Sequence, residues 1–450
     1  MAKRESLGLA LLLGLALLAG WIVVTFPMRL AMALFGTMIV GVAVMAAPFL
    51  GVVVYFILAF LRPQEVFWGL ADARLTALVS GATLVSAMLH FSVRPDLSFL
   101  RKPQCLFVLV QWLFLYLSTQ YGDFGVPEAK WMAYYNKMFI IYFVVLALAT
   151  SEKKLAVLSW VIAISIGYLC LWANDRYLFH GWRHVHGPGR PGATFYDEND
   201  FAMVMVMAVP FIWYFMRYGK NRLVSLGLLG LLPFAWHGVF ITFSRGGFLG
   251  LCGAMAWIAL REKSRWLRLG ILLVGVAFFV RLAGSEYRDR LATIGEYEED
   301  ASATGRLESW GAGMEMAASN PLFGVGLRRY MTAFPYYSNS HPRVAHNSWV
   351  QLAAECGFVA VGAYSALIVL TALSLYRTRK RIPLLQEEQR RTVRTLEGAF
   401  SGSLIGYLVC GFFLSMEDFE FFYLLVALVQ SLDRVTAARL KKQPVEARIA

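Results

Sequence analysis

Apolar runs separated by short polar connections occupy most of the chain and determine its predicted architecture. A transmembrane helix needs about 20 apolar residues, and shorter runs pair as hairpins. The candidate runs are 7–24, 30–45, 48–61, 75–91, 104–119, 131–150, 155–172, 200–216, 223–242, 247–260, 267–283, 347–375, 397–415 and 419–433. The weakest are those flanking Pro48 and the C-terminal pair. The pattern therefore predicts an all-α, polytopic integral membrane helical bundle with 12 to 14 transmembrane helices, forming a single membrane domain over residues 1–450.

The distribution of basic residues predicts the orientation of this bundle. If the N-terminus is cytoplasmic, 26 of the 42 Lys and Arg residues fall in short cytoplasmic loops or tails, as the positive-inside rule requires. The run 7–24 resembles a signal peptide and is predicted to be an uncleaved first helix. Both termini are then cytoplasmic, and two long connections, 173–199 and 284–345, are external. In a bacterium the protein would lie in the inner membrane, with these two loops in the periplasm.

The larger loop is predicted to contain short helices rather than irregular chain only. In its segment TGRLESWGAGMEMAASNPLFGVG, four apolar residues share one helical face, and Asn320-Pro321 ends the helix. These four are Leu307, Trp310, Met314 and Ala317. An amphipathic helix of this kind lies on the outer leaflet or covers a cavity.

Composition excludes a soluble protein and changes the meaning of the net charge. Hydrophobic residues make up 58% of the chain, aromatic residues 15%, and the mean hydropathy is +0.56. The formal net charge of +13 would suggest nucleic-acid binding in a soluble protein. Here the basic residues collect in the predicted cytoplasmic loops. Membrane lipids are therefore expected as partners, and nucleic acid is not. The five cysteines lie in or beside apolar runs without a disulfide or metal spacing.

Several arginines remain on the predicted external side, where positive charge has no role in orientation and is costly near hydrocarbon. Arg190 lies in GPGRPGATFYDEND, Arg245 in SRGG, and Arg306 in TGRLESW. Such arginines suit a phosphate-bearing ligand, because guanidinium groups bind phosphate oxygens in pairs. The glycines after Arg245 are predicted to let the backbone approach that ligand closely. Snorkelling to headgroups is the alternative for Arg245, and a solvated or headgroup-facing pair is the interpretation for Arg328-Arg329.

His346 lies where the large loop meets the apolar run 347–375, directly before Asn347 and Ser348. The partial positive charge of a helix N-terminus disfavours imidazolium. A histidine in this position therefore stays neutral and able to accept a proton, as a general base must. Helix capping or core packing is the alternative role. We expect Asn347 and Ser348 to cap the helix, which leaves His346 available as the base.

A metal site is the less favoured interpretation of the remaining polar residues, and no metal or cofactor is predicted. His180, His184 and His186 are loosely spaced, and the acidic residues of YDEND lie about a dozen residues further on. The run EYEED at 296–300 is interpreted as a solvated stretch.

Five motifs in a fixed order resemble a known family. They are GRPGATFYDEND, SRGG, TGRLESW, NPLFGVG and HNSWVQLAAECG. Their order and topology resemble the O-antigen ligase and polymerase superfamily, and most closely the bacterial O-antigen ligases. The segment RPQE, from Arg62 to Glu65, is similar to exosortase-associated O-glycosylation ligases. The resemblance covers Gly187 to Phe358 well and the first half mainly through its run of spans.

The resemblance implies an inverting, metal-independent glycosyl transfer on the periplasmic face. Family members move a glycan from undecaprenyl diphosphate to a sugar hydroxyl of the lipid A-core. The ligase pattern of a histidine, then Asn, Ser or Gln, then a glycine after nine further residues matches His346, Asn347 and Gly357. Its final position holds Ala360 here, where Gly, Thr or Tyr is usual, which bears on helix packing.

The essential arginines of the family carry over to Arg245 and Arg306, with Arg190 as a third. These residues are expected to bind the diphosphate and stabilise it as it leaves, while His346 takes the acceptor's proton. Arg328 and Asn347 are secondary candidates. An O-antigen polymerase and a protein O-oligosaccharyltransferase share this donor and stay open as alternatives. A transporter of lipid-linked glycan is a further alternative, although transporters usually place their sites near the bilayer midplane.

Overall fold

The computed structural model describes residues 28–66, 75–91, 97–124, 129–189, 195–282 and 301–442. Over these residues it contains helices and no strand. The long helices, which we number α1 to α14, are Met28–Ala46, Pro48–Phe60, Leu75–Phe91, Pro103–Tyr121, Ala129–Leu148, Glu152–His180, Glu198–Tyr218, Arg222–Phe240, Arg245–Arg261, Arg265–Leu282, Ala301–Ser319, Ser348–Arg381, Glu387–Phe413 and Glu420–Lys442. The prediction of an all-α polytopic membrane protein is confirmed.

Seven helices of the described chain are long and apolar enough to cross a membrane, judged by length and composition. They are α5 to α8 and α12 to α14, and three shorter apolar helices lie in the first ninety residues. The predicted first span, 7–24, lies outside the described residues. The total of 12 to 14 spans therefore stays a prediction.

The core forms around α7 and α14, because these two helices are buried on nearly every face over most of their length. Every residue of α7 from Phe201 to Phe215 is buried. Helix α13 packs closely along α7 through glycines four residues apart, and a Cβ at Gly402 would stand 2.8 Å from the Pro210 ring. Small residues at this spacing let two membrane helices approach each other.

Helix α6 ends later than its apolar run predicts. The polar residues after 172 were expected to begin a loop, but the helix continues to His180 and ends at Gly181 in the left-handed conformation. The continuation is possible because Asn174 is satisfied inside the bundle. Its amide donates to the carbonyls of Cys170 and Phe234 at 2.7 and 2.8 Å. The predicted loop boundary at Ala173 was therefore wrong by two turns of helix.

The predicted helix of the large loop is present as α11, and it ends beside Asn320-Pro321 as expected. The four apolar residues predicted to share one face differ in burial. Ala317 is fully buried, whereas Leu307 and Met314 are 49% and 48% exposed. The face that packs on the protein consists largely of small residues instead, and they are Gly305, Ser309, Ala312 and Gly313.

Helix α12 is kinked at Gly357, where φ is +80° and ψ is 175°. The kink frees backbone carbonyls, and the loop after α11 bonds to them. The amides of Val325 and Gly326 donate to the carbonyls of Ala354 and Glu355, at 2.9 and 3.1 Å, and the Phe358 amide donates to the Pro321 carbonyl. A Cβ at Gly357 would lie 2.4 Å from the Leu322 carbonyl oxygen. The glycine of the ligase pattern is thus required by the backbone geometry of this contact.

Candidate functional site

Three helices that carry predicted site motifs begin at one end of the bundle, which we call the His346 end. A side-chain oxygen caps the N-terminus of each helix: Asp197 caps α7, Ser244 caps α9, and Asn347 caps α12. These are the preferred residue types at such positions, because their side-chain oxygens accept from the first free amides. The caps fix where Arg245 and His346 leave the helical backbone.

His346 is held in an uncommon conformation by the residues before it. Its φ is +49°, a left-handed value that costs a non-glycine residue roughly 1–3 kcal/mol. Side chains bind the two preceding peptide groups: Ser309 Oγ donates to the Val344 carbonyl at 3.2 Å, and Trp310 Nε1 donates to the Ala345 carbonyl at 2.7 Å. The Ala345 amide donates to Gln351 Oε1 at 2.9 Å. These three bonds fix the backbone that enters His346.

The capping prediction is confirmed for Asn347 and wrong for Ser348. Asn347 Oδ1 accepts from the amides of Trp349 and Val350 at 3.0 and 3.1 Å. Ser348 is the first residue of α12, but its hydroxyl donates to the Leu414 carbonyl at 3.0 Å and accepts from the Met416 amide at 2.9 Å. It therefore joins α12 to the turn after α13 instead of capping its own helix.

Arg306 and His346 come together in space. Burial, the charge of Arg306 and, more weakly, that of Arg343 lower the pKa of His346 below its ordinary value, while Asp197 acts in the opposite direction. The ring is half-buried. It is consequently neutral near pH 7 and able to accept a proton.

Arg245 is the first residue of α9 and reaches the same region through the end of α13. Its neighbour Gly246 packs on that turn, because a Cβ there would lie 3.1 Å from Leu414. The Leu414 carbonyl in turn accepts from Ser348, two residues after His346. Arg245 and His346 therefore flank one turn of chain.

The glycines of SRGG pack closely against neighbouring helices. A Cβ at Gly247 would stand 2.5 Å from the Ala202 methyl group of α7. The Ser244 hydroxyl accepts from the Gly247 amide at 3.1 Å and donates to Asn199 Oδ1 at 2.7 Å. The two glycines allow close packing of helices, and the expectation that they let the backbone approach a ligand stays a prediction.

Two predicted arginines remain. Arg190 lies outside the described residues, and Arg328 has surroundings that differ from the predicted ones. Arg328 is half-buried rather than solvated: its guanidinium lies 4.0 Å from the Trp131 ring centroid and is paired with Asp418. Its amide donates to Glu355 Oε2 at 2.9 Å. The interpretation of Arg328 as a solvated or headgroup-facing residue was wrong, because partners distant in sequence enclose it.

Two polar residues of α12 belong to the site and were missed from the sequence. Gln351 accepts from the Ala345 amide and from Ser415 Oγ, and its amide donates to Glu355 Oε1 at 2.6 Å. Glu355 also binds the Arg328 amide. Their four-residue spacing in the run WVQLAAECG was the available signal, since two polar residues on one face of an apolar helix need a shared partner.

Two of the three histidines considered for a metal pack against aromatic rings, and the third, His180, lies beside Asp175. His184 lies 4.6 Å from Phe243, and His186 lies 4.7 Å from Trp182 and 4.2 Å from Tyr196, between ring centroids. Within the described ranges, no group of three or more His, Cys, Asp or Glu residues is arranged to hold a metal ion. The run EYEED lies outside those ranges.

Comparison with known families adds to this geometry. Residues 231–365 match the family described as O-Antigen ligase, and residues 28–220 match a family of unknown function. A search of curated proteins returned no match. The first matched region includes Arg245, Arg306, the NPLFGVG loop and His346. Members of the O-Antigen ligase family are glycosyltransferase-like ligases, and the match over residues 231–365 supports membership of the chain in the O-antigen ligase superfamily.

Proposed function

We propose that the protein is an O-antigen ligase that transfers a glycan from undecaprenyl diphosphate to the lipid A-core oligosaccharide. The observation that carries this proposal is the placement of His346 at the capped start of α12, half-buried and within electrostatic range of Arg306. A cation and a proton acceptor side by side suit a reaction in which a diphosphate leaves and a hydroxyl attacks. The family match at residues 231–365 supports the same reaction class.

The proposed step is a single displacement at the anomeric carbon. The acceptor hydroxyl oxygen forms the new glycosidic bond as its proton passes to a ring nitrogen of His346, and the bond from the anomeric carbon to the diphosphate oxygen breaks with inversion. The leaving diphosphate gains negative charge in this step. Arg306 and Arg245, with Arg190, are proposed to stabilise that charge, which makes a metal ion unnecessary. The histidine later returns its proton to water.

The proposed location is the bacterial inner membrane, with the His346 end in the periplasm and both termini in the cytoplasm. Basic residues at the opposite end support this orientation through the positive-inside rule. Among them, Lys102 and Arg381 pair with the buried Asp433 at 2.8 and 2.6 Å. Arg439 pairs with Glu152 at 3.1 Å.

The proposal is tested with purified protein, an undecaprenyl-diphosphate-linked glycan and a lipid A-core acceptor, assayed in excess chelator. Transfer should proceed without added metal. The His346→Ala variant should lose about 100-fold or more of the rate, which is the usual contribution of a general base. His341→Ala is the matched control, because His341 lies in the same segment but is exposed, and it should transfer like the wild type.

Three outcomes would overturn the proposal. Chelator-sensitive transfer would contradict the metal-independent step, and wild-type turnover by His346→Ala would contradict the base. Transfer to a second lipid-linked glycan or to a protein, with the lipid A-core left unmodified, would assign the chain to the polymerases or the protein O-oligosaccharyltransferases instead.

A further inference from the structure

Helix α11 presents two unlike faces, and its outward face is unpartnered in the described chain. The inward face carries Arg306, together with Ser309 and Trp310, which bind the backbone before His346. On the outward face, Leu307 and Met314 are about half exposed. They lie seven residues apart, and hence on the same side of the helix.

An acidic stripe runs beside this apolar one. Glu308 and Glu315 are exposed and each follows an apolar residue of the outward face. In a helix, consecutive residues are rotated by about 100° from one another. The outward surface of α11 therefore has an apolar strip, formed by Leu307 and Met314, beside a charged strip, formed by Glu308 and Glu315. Helices that lie at a boundary between hydrocarbon and water have this arrangement.

Two contacts place α11 at the level where the spans leave the hydrocarbon. The Trp310 ring lies 5.7 Å from that of Phe412, at the end of α13, and Phe412 is 47% exposed. After α11, the Pro321 carbonyl accepts from the amide of Phe358, which is 44% exposed. Both phenylalanines are exposed apolar residues of helices that are long and apolar enough to cross a membrane.

The length of α12 supports this boundary. The helix has 34 residues and would extend about 50 Å at 1.5 Å per residue, which is longer than the hydrocarbon core of about 30 Å. From Ser348 to Gly357 its side chains are buried or half-buried, and Phe358 is its first exposed one. The lipid-facing part of α12 therefore begins at Phe358, next to the turn that ends α11.

We propose that the outward face of α11 is seated in the lipid bilayer, with Leu307, Met314 and Leu322 in contact with lipid and the two glutamates in water. Leu322 is 56% exposed and continues the apolar stripe towards Phe358. The occupant is a lipid surface, because α11 and the turn that follows it contact Phe412 and Phe358, which are exposed apolar residues of two helices long and apolar enough to cross a membrane. The bilayer thus sets the position of the helix that carries Arg306 and fixes the backbone of His346.

The test measures depth in the bilayer and does not depend on transfer activity. Single-cysteine variants Leu307→Cys, Met314→Cys, Glu308→Cys and Glu315→Cys are made in a Cys252→Ala background, because Cys252 is the exposed native cysteine while the other four are buried. Each is labelled with an environment-sensitive fluorophore and reconstituted into phosphatidylethanolamine and phosphatidylglycerol vesicles. Quenching is compared between nitroxide-labelled lipid and aqueous iodide.

Labels at Leu307→Cys and Met314→Cys should emit at shorter wavelength, lose most of their intensity to the nitroxide lipid and resist iodide. The two glutamate-site labels should show the reverse, and they control for helix position because they lie one residue away. Iodide quenching of all four labels alike would overturn the proposal. Protection of the Leu307→Cys and Met314→Cys labels from both quenchers would also overturn it, because a protein surface or a second copy of the chain would then cover the stripe.

Discussion

Trp310 offers the sharpest test of how the fold positions His346. The Trp310→Phe substitution keeps an aromatic ring beside Phe412 and removes one donor, Nε1, which lies 2.7 Å from the Ala345 carbonyl. Ala345 is fully buried, so its carbonyl loses its partner without gaining water. Leaving such a group unsatisfied costs about 1–3 kcal/mol. The cost falls on the peptide that immediately precedes His346 and its left-handed backbone.

The position of the His346 ring matters for proton transfer and not for donor binding. The cost should therefore raise the activation free energy of the chemical step. At about 1.4 kcal/mol per factor of ten, it corresponds to roughly a 5- to 150-fold fall in kcat. KM for the lipid-linked donor should change little, because Arg306 and Arg245 are untouched. Steady-state transfer kinetics with the purified protein separate the two quantities.

Trp266→Phe is the matched control, because Trp266 lies on α10 and is 69% exposed. That variant should keep wild-type kcat and thermal stability. The reasoning is refuted if Trp310→Phe lowers the melting temperature in detergent but leaves kcat unchanged. The bond would then stabilise the loop without placing the histidine.

Two further predictions use charges and backbone near the same site. Arg343 lowers the pKa of His346 and Asp197 raises it. Because the neutral ring is the active form, Arg343→Gln should move the acidic limb of the kcat/KM profile to higher pH, and Asp197→Asn should move it to lower pH. A shift of both variants in the same direction would contradict the assignment of His346 as the base. Because the pKa of His346 is lower in the folded than in the unfolded chain, the free energy of unfolding should decrease as pH falls below about 6.5. In that range the unfolded chain binds a proton at His346 that the folded chain does not. Gly357→Ala should destabilise the folded protein, seen as lower yield and melting temperature. The backbone of Gly357, with φ of +80° and ψ of 175°, lies in a region essentially restricted to glycine, which costs other residues about 1–3 kcal/mol, and the Cβ would meet the Leu322 carbonyl at 2.4 Å. Gly362→Ala, with nothing within 4 Å of its Cβ, should be neutral or stabilising, and an equal loss in both variants would contradict this account.

The sequence predicted the helices better than their packing. Apolar length indicates a membrane helix directly, because the bilayer requires it, and the loop helix was visible from its periodicity. Which face of α11 packs inward was not predictable, since glycine and alanine contribute little to a hydrophobic pattern. The end of α6 was missed for a related reason: Asn174 reads as a helix end in isolation, but a neighbouring helix supplies its partner at Phe234.

Positions in the site were predicted where a local rule applies. Asn347 caps α12 as its type and place suggested. Arg328 was misjudged because its partner Asp418 is 90 residues away. The bond from Trp310 to Ala345 likewise spans 35 residues, and no sequence rule pairs a tryptophan with a distant carbonyl. The residues of the proposed chemistry were therefore accessible from motifs, whereas those that position them were not.

The described chain places three of its four non-glycine residues with positive φ beside the predicted site. They are Phe243, Arg328 and His346, with φ of +57°, +58° and +49°. Phe243 precedes Ser244 and Arg245, and Arg328 follows the loop that binds the kink of α12. Backbone of this kind persists only where surrounding contacts over-determine it.

For His346, those surrounding contacts come largely from α11, through Ser309 and Trp310. Arg306 and Trp310 are four residues apart, about one turn of that helix, so the group proposed to bind the diphosphate and the group that fixes the backbone of His346 move together. A shift of α11 would then change both leaving-group stabilisation and base placement at once. Substitutions at Arg306 and Trp310 should consequently be non-additive in kcat, with the double variant less impaired than the product of the two single effects, because residues that act as one unit lose their joint contribution only once.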